Sequence, residues 1–148
     1  MIIRQATMRD LDAIDYLEHK CFDKRDSVSR VYNAQNLSLD SNVYLLASSI
    51  SILGNRHVGY AAVSFDRLTA SLNSLCSIER GVGRKLLQAA EHVAAKRGKR
   101  ALRLRVRASN ERAIRLYEKS GYKRYGGVVH YPDGEPALRY DKRLRAFK

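Results

Sequence analysis

The pattern of apolar and polar residues in the first quarter of the chain predicts a strand followed by two helices. Met1–Arg4 is a short apolar run typical of a strand. Thr7 can cap a helix, because an acidic residue lies three positions later. The apolar residues that follow have helical spacing, at Leu11, Ile14, Leu17 and Cys21. The segment 26–37 is polar and weakly helical, with Ser27 or Ser29 as its cap.

The middle of the chain predicts an antiparallel group of strands. Val43–Ala47 and Val58–Phe65 have the composition and alternation of strands. Gly54 and Asn55 between them are turn residues, so the two strands should form a hairpin. Leu72–Ile78 is an apolar run diluted by polar residues, and it predicts a third strand beside the hairpin.

The second half of the chain predicts two helices around a strand with an arginine face. Val82–Arg97 has helical apolar spacing and is followed by Gly98, a residue typical of a helix end. In the next segment apolar residues alternate with arginines, as Leu102, Leu104 and Val106 against Arg103, Arg105 and Arg107. Asn110 can cap a second helix, which carries Tyr117 on its apolar side and ends before Gly121.

Two final strands complete the predicted fold. They are Tyr122–Val129 and Ala137–Leu144, joined by a turn at residues 132–134 with the sequence Pro-Asp-Gly. The predicted order is β-α-α-β-β-β-α-β-α-β-β. An antiparallel front half, a β-α-β crossover and a C-terminal hairpin predict an α/β fold of the α+β type, with a mixed sheet and helices on both faces. A length of 148 residues fits one domain.

The charge of the chain indicates a class of binding partner. The chain has 28 Lys and Arg residues against 15 Asp and Glu residues, a formal net charge of +13, and the cations concentrate in residues 80–148. Such a field attracts polyanions, which include a phosphorylated cofactor, an acidic protein tail and RNA. A solvated helix and strand surface would account for the same charge without a partner. An apolar fraction of 45% indicates a globular chain.

The two cysteines predict no covalent or metal chemistry. Cys21 and Cys76 are far apart in the chain, and no Cys-x-x-Cys or Cys/His cluster accompanies them. We therefore expect no disulfide framework and no zinc site. Cys76 should be a small buried thiol rather than a nucleophile, since no partner histidine is evident. The chain has no apolar leader segment and no run of 18 apolar residues, so a cytoplasmic protein without a membrane span is expected.

A glycine turn between a strand and a helix is the first candidate for chemistry. Gly81 and Gly83 lie in this turn, and Arg80, Arg84 and Lys85 surround it. Free backbone N–H groups at a helix start, together with the helix dipole, favour an anion there. A plain tight turn would explain the glycines equally well. The motif of a P-loop is absent, and so is the third glycine of a dinucleotide-binding turn.

Three segments together resemble the GCN5-related N-acetyltransferase (GNAT) superfamily. ERGVGRKLL is similar to the pyrophosphate loop of that family and its helix, and HYPDGEPALRYDKRL is similar to its C-terminal hairpin. VRASNERAIRLYEKSGY is similar to its Asn-x-x-Ala-x-x-Leu-Tyr-x-x-x-Gly-Tyr segment, in wording nearest to the ribosomal-protein N-terminal alanine acetyltransferase type. The resemblance covers essentially the whole chain. It implies a GNAT-like fold, with residues 1–148 as a single N-acetyltransferase domain.

The resemblance implies transfer of an acetyl group from acetyl-CoA directly to an amine, without a metal or a covalent enzyme intermediate. The backbone of Leu75, Cys76 and Ser77 would place the thioester carbonyl, and Asn110 would hold the cofactor arm. The pyrophosphate would bind to Arg80, Gly81, Val82, Gly83, Arg84 and Lys85. Tyr117 would be the general acid, since a phenol with a pKa of about 10 stays protonated at neutral pH. The structural alternatives are a plain N-cap for Asn110 and a packed aromatic ring for Tyr117.

The sequence departs from the family pattern at two places. Arg105 stands where the nearest group has a glutamate as general base, and arginine cannot accept the ammonium proton. Water or one of the side chains of Glu18, His130 and Glu135 would take that role, or the amine would enter neutral. The loop before Gly81 is also short, and Ile78 occupies the place of the first Arg or Gln of the pyrophosphate motif. The shortened loop therefore predicts a weakened or altered pyrophosphate site.

Three functions fit these observations. The first is an N-acetyltransferase acting on a peptide or protein amine through an open groove between residues 26–37 and 129–136. The second acts on a small-molecule amine in a closed pocket at the same place. The third is a basic, non-catalytic module of the same fold that binds acetyl-CoA or docks on RNA or the ribosome. No membrane partner is expected.

Overall fold

Residues 1–145 are described by a computed structural model, and their elements follow the predicted order. The strands are β1 (Ile2–Gln5), β2 (Asn42–Ser51), β3 (Gly54–Phe65), β4 (Thr69–Ser77), β5 (Ala101–Arg107), β6 (Lys123–Arg124), β7 (Val129–His130) and β8 (Pro136–Arg143). The helices are α1 (Leu11–Cys21), α2 (Arg30–Leu37), α3 (Val82–Lys96) and α4 (Glu111–Lys119), and a 3-10 turn, Met8–Asp10, precedes α1. The last three residues of the predicted domain lie outside the described part.

The described strands form one mixed sheet, which confirms the predicted fold class. Its order is β1-β2-β3-β4-β5-β8-β6, and β7 pairs with β8 outside this path. The pair of β4 and β5 is parallel, and the other described pairs are antiparallel. The connection from β4 through α3 to β5 is the predicted crossover, because parallel neighbours cannot be joined by a hairpin.

Helices cover both faces of the sheet, as the alternation predicts. On one face Leu86 and Leu87 of α3 are fully buried in a core that also contains Tyr117 of α4. On the other face Ile14 and Leu17 of α1 are fully buried against β2 and β3. Each helix therefore buries one apolar stripe and leaves its polar side in water.

The helix starts match the predicted caps. The hydroxyl of Thr7 accepts a backbone N–H bond at 3.3 Å, and the Asp10 carboxylate accepts from the Thr7 N–H at 2.8 Å. Hydrogen bonds from Arg4 lower the pKa of Asp10 to about 2. Ser29, rather than Ser27, caps α2 by accepting a backbone N–H bond at 3.1 Å.

The prediction of a strand over Tyr122–Val129 is wrong, because this segment contains only β6 and the first residue of β7. Gly126 between them has a φ of 65°, in the left-handed region that favours glycine. A Cβ at Gly126 would collide with the guanidinium group of Arg139. Arg139 also donates to the carbonyl of Gly127 at 3.0 Å. The loop therefore wraps around a guanidinium group instead of continuing as a strand.

β4 and β5 pair only at their first residues. The ladder joins Thr69 to Ala101, Ala70 to Leu102 and Ser71 to Arg103. Beyond these residues β4 stays paired with β3, and β5 stays paired with β8, as far as Ser77 and Arg107 respectively. We call the space between residues 72–77 of β4 and 104–107 of β5 the strand gap. Backbone groups along it lack a sheet partner on one side and can bind a ligand.

A β-bulge at Asn73 decides which way the end of β4 faces. The ladder of β3 with β4 joins Ala62 to Ser74 and Val63 to Leu72. Asn73 is therefore the extra residue, and it reverses the alternation of side chains. Leu72 packs in the α3 core, whereas Cys76 packs on the α1 side. Without the bulge these two side chains would share a face, since the period of a strand is two.

Cys21 and Cys76 form a disulfide, so the expectation of a free buried thiol is wrong. Their Cα atoms are 5.7 Å apart, and the bond joins residues separated by 55 positions. Cys21 is the last residue of α1, and Cys76 reaches it because the bulge turns that part of β4 towards α1. The spacing of two cysteines could not reveal this contact. The disulfide fastens the end of α1 to one edge of the strand gap.

Candidate functional site

Residues 78–85, which form the turn before α3 and the first residues of that helix, offer backbone N–H groups and cations to solvent. We call this segment the α3 turn. Gly81 is the N-cap of α3 and has a φ of 85°, which residues with a Cβ rarely adopt. The N–H groups of Gly81, Gly83 and Arg84 find no acceptor within residues 1–145. Arg80, Arg84 and Lys85 are exposed, and none forms an ion pair in the same part of the chain. The turn has the chemistry of an anion site.

The short loop before Gly81 has Ile78 at the position where the family pattern predicts a first Arg or Gln. Ile78 packs against both hydrophobic cores, and its N–H donates to the carbonyl of Val58 at 2.9 Å. The chain then turns within two residues, and the N–H of Val82 donates to the carbonyl of Glu79 at 3.3 Å. Ile78 is therefore a core residue, and an anion at this turn would be bound only by groups that follow it.

The α3 turn, the end of β4 and α4 meet at Gly83. A Cβ placed on Gly83 would lie 3.5 Å from Cδ2 of Leu116 and 3.6 Å from Cβ of Ser77. Leu116 precedes Tyr117 in α4. The predicted pyrophosphate turn, the predicted carbonyl-binding strand and the predicted acid therefore belong to one region, as the sequence motifs imply.

Leu75, Cys76 and Ser77 line one edge of the strand gap. Each is paired with β3, through Ala61, Tyr60 and Gly59 respectively, and none is paired with β5. Cys76 is 1% exposed and holds the disulfide, so its side chain serves the fold while its backbone borders the gap. This arrangement is compatible with the predicted use of backbone groups.

Tyr117 is buried and held by aromatic packing. Its ring contacts that of Tyr122 edge to face, with centroids 5.9 Å apart. The Tyr122 hydroxyl donates to Glu91 at 2.8 Å, which fixes the neighbouring ring. The Tyr117 hydroxyl forms no hydrogen bond within residues 1–145. Burial raises the pKa of Tyr117 above its usual range, with a smaller contribution from Tyr131, so the phenol stays protonated.

Asn110 caps α4, as predicted. Its side-chain oxygen accepts from the N–H of Ala113 at 3.2 Å. The residue is exposed, so the amide nitrogen of the same side chain points to no described partner and can bind a ligand. The cap and the predicted cofactor contact are thus compatible in one residue.

Sequence reasoning missed the group that we call the Arg107 cluster, formed by Arg107, Asp26, Tyr131, Asp133 and Glu135. The Arg107 guanidinium lies 2.7 Å from the Asp26 carboxylate, 3.0 Å from that of Asp133 and 3.6 Å from that of Glu135. It also lies 4.0 Å from the centroid of the Tyr131 ring. The hydrogen bond to Asp26, followed by the bond to Asp133, raises the pKa of Arg107.

The Arg107 cluster joins three parts of the chain at the end of the strand gap. They are the last residue of β5, the segment after α1 and the turn between β7 and β8. In the sequence Arg107 is one of three alternating arginines, and nothing local distinguishes it from the others. A signal does exist in the two segments that the sequence predicts on either side of an acceptor site, 26–37 and 129–136, because each contains an aspartate.

Arg105 lies near the same end of β5 but has no carboxylate partner within residues 1–145. It is exposed. Burial raises the pKa of Tyr131, and the charges of Arg105 and Arg107 oppose that rise.

The three candidate bases have different surroundings. Glu18 is 1% exposed, accepts a hydrogen bond from the Tyr60 hydroxyl and accepts another from the Val28 N–H at 3.2 Å. Glu135 accepts from the Ser109 hydroxyl at 2.9 Å and faces Arg107. His130 is exposed in β7. Both carboxylates are therefore engaged in holding the fold.

The residues present fit an acyl-CoA. The α3 turn supplies unpartnered N–H groups and cations for phosphate oxygens, and the strand gap supplies backbone groups for a carbonyl. Among residues 1–145 no group of three or more His, Cys, Asp or Glu side chains is placed to hold a metal ion. No helix in that part of the chain is long and apolar enough to cross a membrane.

Solved structures share this fold. The ribosomal-protein-S18-alanine N-acetyltransferase from Escherichia coli superimposes with a TM-score of 0.84 at 23% identity, over 99% of this chain and 95% of that one. Aminoglycoside 6'-acetyltransferase type Ii gives 0.82 at 18% identity, over 100% of both chains. The yncA protein from Salmonella typhimurium, solved with its cofactor acetyl-CoA, gives 0.76 at 22% identity, over 100% and 96%.

Sequence comparisons point the same way. The N-acetyltransferase YhfO of Bacillus subtilis (strain 168) is 35% identical over 82 residues, which are 53% of this chain. The match spans 54% of that relative, about half of its length. The model of the acetyltransferase (GNAT) family matches residues 11–122, which include α1, the α3 turn and Tyr117. The chain therefore belongs to the acetyltransferase (GNAT) family.

Proposed function

We propose that the protein is an acetyl-CoA-dependent N-acetyltransferase that acts on a peptide or protein amine. The observation that carries this proposal is the strand gap, with the α3 turn at its edge and Tyr117 in the adjoining helix. Family membership and the resemblance in fold to the S18-alanine enzyme support it. Residues 1–148 would form one such domain, and a cytoplasmic location stays a prediction.

The α3 turn would bind the pyrophosphate of acetyl-CoA. Backbone N–H groups of Gly81, Gly83 and Arg84 would donate to its oxygens, and Arg80 and Lys85 would balance its charge. Val82 would lie in the same pyrophosphate segment. The backbone of Leu75, Cys76 and Ser77 would place the thioester carbonyl, and Asn110 would hold the cofactor arm. The bound thioester supplies an activated acetyl group, and the protein supplies its position.

Tyr117 would donate the proton that the leaving thiolate takes up. A raised pKa makes the phenol a weaker acid, which alone would oppose this transfer. The thiolate would form in the same buried surroundings, however, and burial raises the basicity of any anion there. Since both anions are disfavoured, the proton transfer can remain nearly balanced.

The amine proton would leave to water. Glu18 and Glu135 are both engaged with other groups, and Arg105 occupies the place of the family's glutamate. A base role for His130 is less favoured because its ring lies exposed in β7. The rate should therefore rise with pH until the acceptor amine is neutral.

A peptide or protein acceptor is favoured over a small molecule by the sequence, because the segment VRASNERAIRLYEKSGY is nearest in wording to the ribosomal-protein N-terminal alanine acetyltransferase type. Fold neighbours include both protein and aminoglycoside acetyltransferases, so the acceptor must be identified by assay.

The test is acetyl-CoA-dependent thiol release in the presence of peptides with free N-termini, lysine peptides, polyamines and aminoglycosides, with mass spectrometry of the acceptors. Tyr117→Phe should lower turnover roughly 10²–10⁴-fold and leave acetyl-CoA affinity nearly unchanged. Calorimetric titration of acetyl-CoA measures that affinity. Unchanged turnover in Tyr117→Phe would remove Tyr117 from the acid role, and no product with any amine would refute the proposed activity.

A further inference from the structure

The outer surface of β5, β8 and β6 carries five cations that form no ion pair within residues 1–145. In β5 the residues Leu102, Leu104 and Val106 are buried, so Arg103 and Arg105 point to the opposite face. Directly opposite neighbours across a ladder share a face. The basic face that results consists of Arg103, Arg105, Lys123, Arg139 and Arg143.

Arg105 lies directly opposite Arg139 in the ladder of β5 with β8. Like charges at opposite positions destabilise a sheet. Asp141, opposite Arg103, is the acidic residue within this group, and it forms no ion pair in residues 1–145. The chain therefore maintains a repulsive arrangement that an anionic ligand would relieve.

Arg139 is held in place rather than neutralised. Its guanidinium donates to the Gly127 carbonyl at 3.0 Å and lies 5.3 Å from the centroid of the Tyr125 ring. Its Nε is buried without a hydrogen-bond partner. Arg103 lies 5.4 Å from the centroid of the same ring. These contacts orient two guanidinium groups without a counter-charge.

The helices on this side of the sheet lie beside the basic face rather than on it. α1 and α2 pack on β2, β3 and β4, on the same side of the sheet. The Arg107 cluster marks the point where their covering ends, because Asp26 reaches Arg107 there. Arg105 is two residues before Arg107 on the same face, and therefore about 7 Å from it along the strand. The basic face thus begins where the acceptor groove of the proposed enzyme ends.

We propose that the basic face binds the carboxylates of an acidic acceptor, a peptide or protein segment with aspartate or glutamate next to the amine that is acetylated. This inference rests on the proposed function and names its substrate class. Arg105 is the specificity-determining residue, and Arg103 and Arg139 extend the site. Guanidinium groups bind carboxylates in paired hydrogen bonds, which suits this occupant.

A nucleic acid fits the basic face less well than an acidic peptide. Binding of single-stranded nucleic acid relies on aromatic rings that stack with bases. The aromatic residue of this face, Tyr125, already contacts the guanidinium groups of Arg103 and Arg139. Its ring is therefore not available as a stacking platform.

The test compares two peptides that start with the same residue and differ only in the next three positions, Asp-Glu-Glu against Asn-Gln-Gln. For the unaltered protein we expect kcat/KM at least 10-fold higher for the acidic peptide, mostly through KM, and a preference that declines with added NaCl. Arg105→Gln should remove most of the preference. Arg105→Lys should restore part of it, and the matched variant Arg67→Gln, in an exposed turn, should leave it intact.

A second measurement separates this inference from the proposed activity. Fluorescence anisotropy of the two labelled peptides, with a labelled oligonucleotide as a third probe, reports binding without catalysis. Equal affinity for both peptides, or an equal loss for both in Arg105→Gln, would overturn the inference. Binding of the oligonucleotide that Arg105→Gln weakens more than peptide binding would also overturn it. Preference for the acidic peptide without acetyl transfer to any amine would refute only the proposed activity.

Discussion

The two faces of the strand gap differ in whether their charged residues have partners within the protein. On the α3 side the α3 turn leaves three backbone N–H groups and three cations without partners. On the α1 side the segment 21–26 is fastened at both ends, by the disulfide to β4 and by Asp26 to Arg107 of β5. The α3 side is therefore open to a ligand. On the α1 side the two attachments of residues 21–26 connect β4 to β5 across the strand gap, and we call this connection the clamp.

This difference shows how to interpret charged residues near a site. The cations of the α3 turn and Arg107 all carry a positive charge, and the sequence places all of them near the gap. Arg107 is 8% exposed and faces three carboxylates, so its charge is used within the protein. Arg80 and Arg84 remain available because no acidic side chain reaches them. Whether a cation has an acidic partner within the protein, rather than its charge alone, therefore indicates whether it stabilises the fold or is available to bind a ligand.

The largest effect should come from breaking the disulfide end of the clamp. Closing a loop of this length removes chain entropy from the unfolded state, worth about 4 kcal/mol at 25 °C. We expect reduction to lower the free energy of unfolding by up to that amount and to weaken acceptor binding, while acetyl-CoA affinity stays the same. Urea unfolding with and without reductant measures the change. The double variant Cys21→Ser/Cys76→Ser should not respond to reductant, and an unchanged unfolding midpoint after proven reduction would contradict the clamp.

Breaking the other end of the clamp should be the next largest effect. Arg107→Ala removes the cation shared by three carboxylates, of which Asp133 keeps a longer contact to Arg25 at 3.6 Å, so we expect Tm to fall on the order of 10 °C. The matched variant is Arg105→Ala, on the same strand and face, which should change Tm by only about 1–2 °C. Differential scanning calorimetry of both variants measures this. Similar Tm values for the two would mean that the cluster does not hold the clamp together.

On the open side a double variant should separate binding from stability. Arg84→Ala/Lys85→Ala removes two exposed cations from the α3 turn, so acetyl-CoA should bind roughly 10-fold more weakly, a loss of about 1.4 kcal/mol. Tm should hardly change, since no described contact is lost. Gln88→Ala, one turn later on the same helix and exposed, is the control for calorimetric titration. Full affinity in the double variant would place the pyrophosphate elsewhere.

The smallest expected effect is that of acid on the stability of the clamp, through the carboxylate of Asp133. A backbone hydrogen bond from Glu135 and the bonds from Arg107 hold the pKa of Asp133 below its usual range. The clamp therefore gains stability from this carboxylate above pH of about 4, and loses it as the pH falls through the lowered pKa. Asp133→Asn should show a weaker decline in Tm between pH 5 and about 3 than the unaltered protein. An identical decline would assign the acid sensitivity to other carboxylates.

Local patterns predicted the parts of the fold that depend on neighbours in the chain. The hairpin of β2 and β3, the stripe of α3 and the caps at Thr7 and Asn110 all follow from spacing and turn residues. The strand predicted over Tyr122–Val129 failed because Gly126 is set by a contact with Arg139, which lies far along the chain. The sequence shows the glycines of this loop, but it does not show that Arg139 packs against them.

In the candidate site, too, the sequence predicted local motifs but not the contacts between residues that are distant in the chain. Motifs predicted Tyr117 and the α3 turn as parts of one site, and the structure brings Gly83 of that turn next to Leu116, the residue before Tyr117. The disulfide and the Arg107 cluster escaped prediction, since both join residues distant in sequence. The position of Asn73 as a bulge could not be deduced either, because a bulge is defined by the partner strand.

The bulge at Asn73 also has a meaning for the divergence of related chains. Without this one residue, Leu72 and Ser74 would become neighbours in a regular ladder, and Cys76 would keep its partner Tyr60 and its position facing α1. A related chain that is one residue shorter between Leu72 and Cys76 can therefore still form the same disulfide. The residue count between two cysteines alone does not decide whether they can pair, because a bulge absorbs the difference.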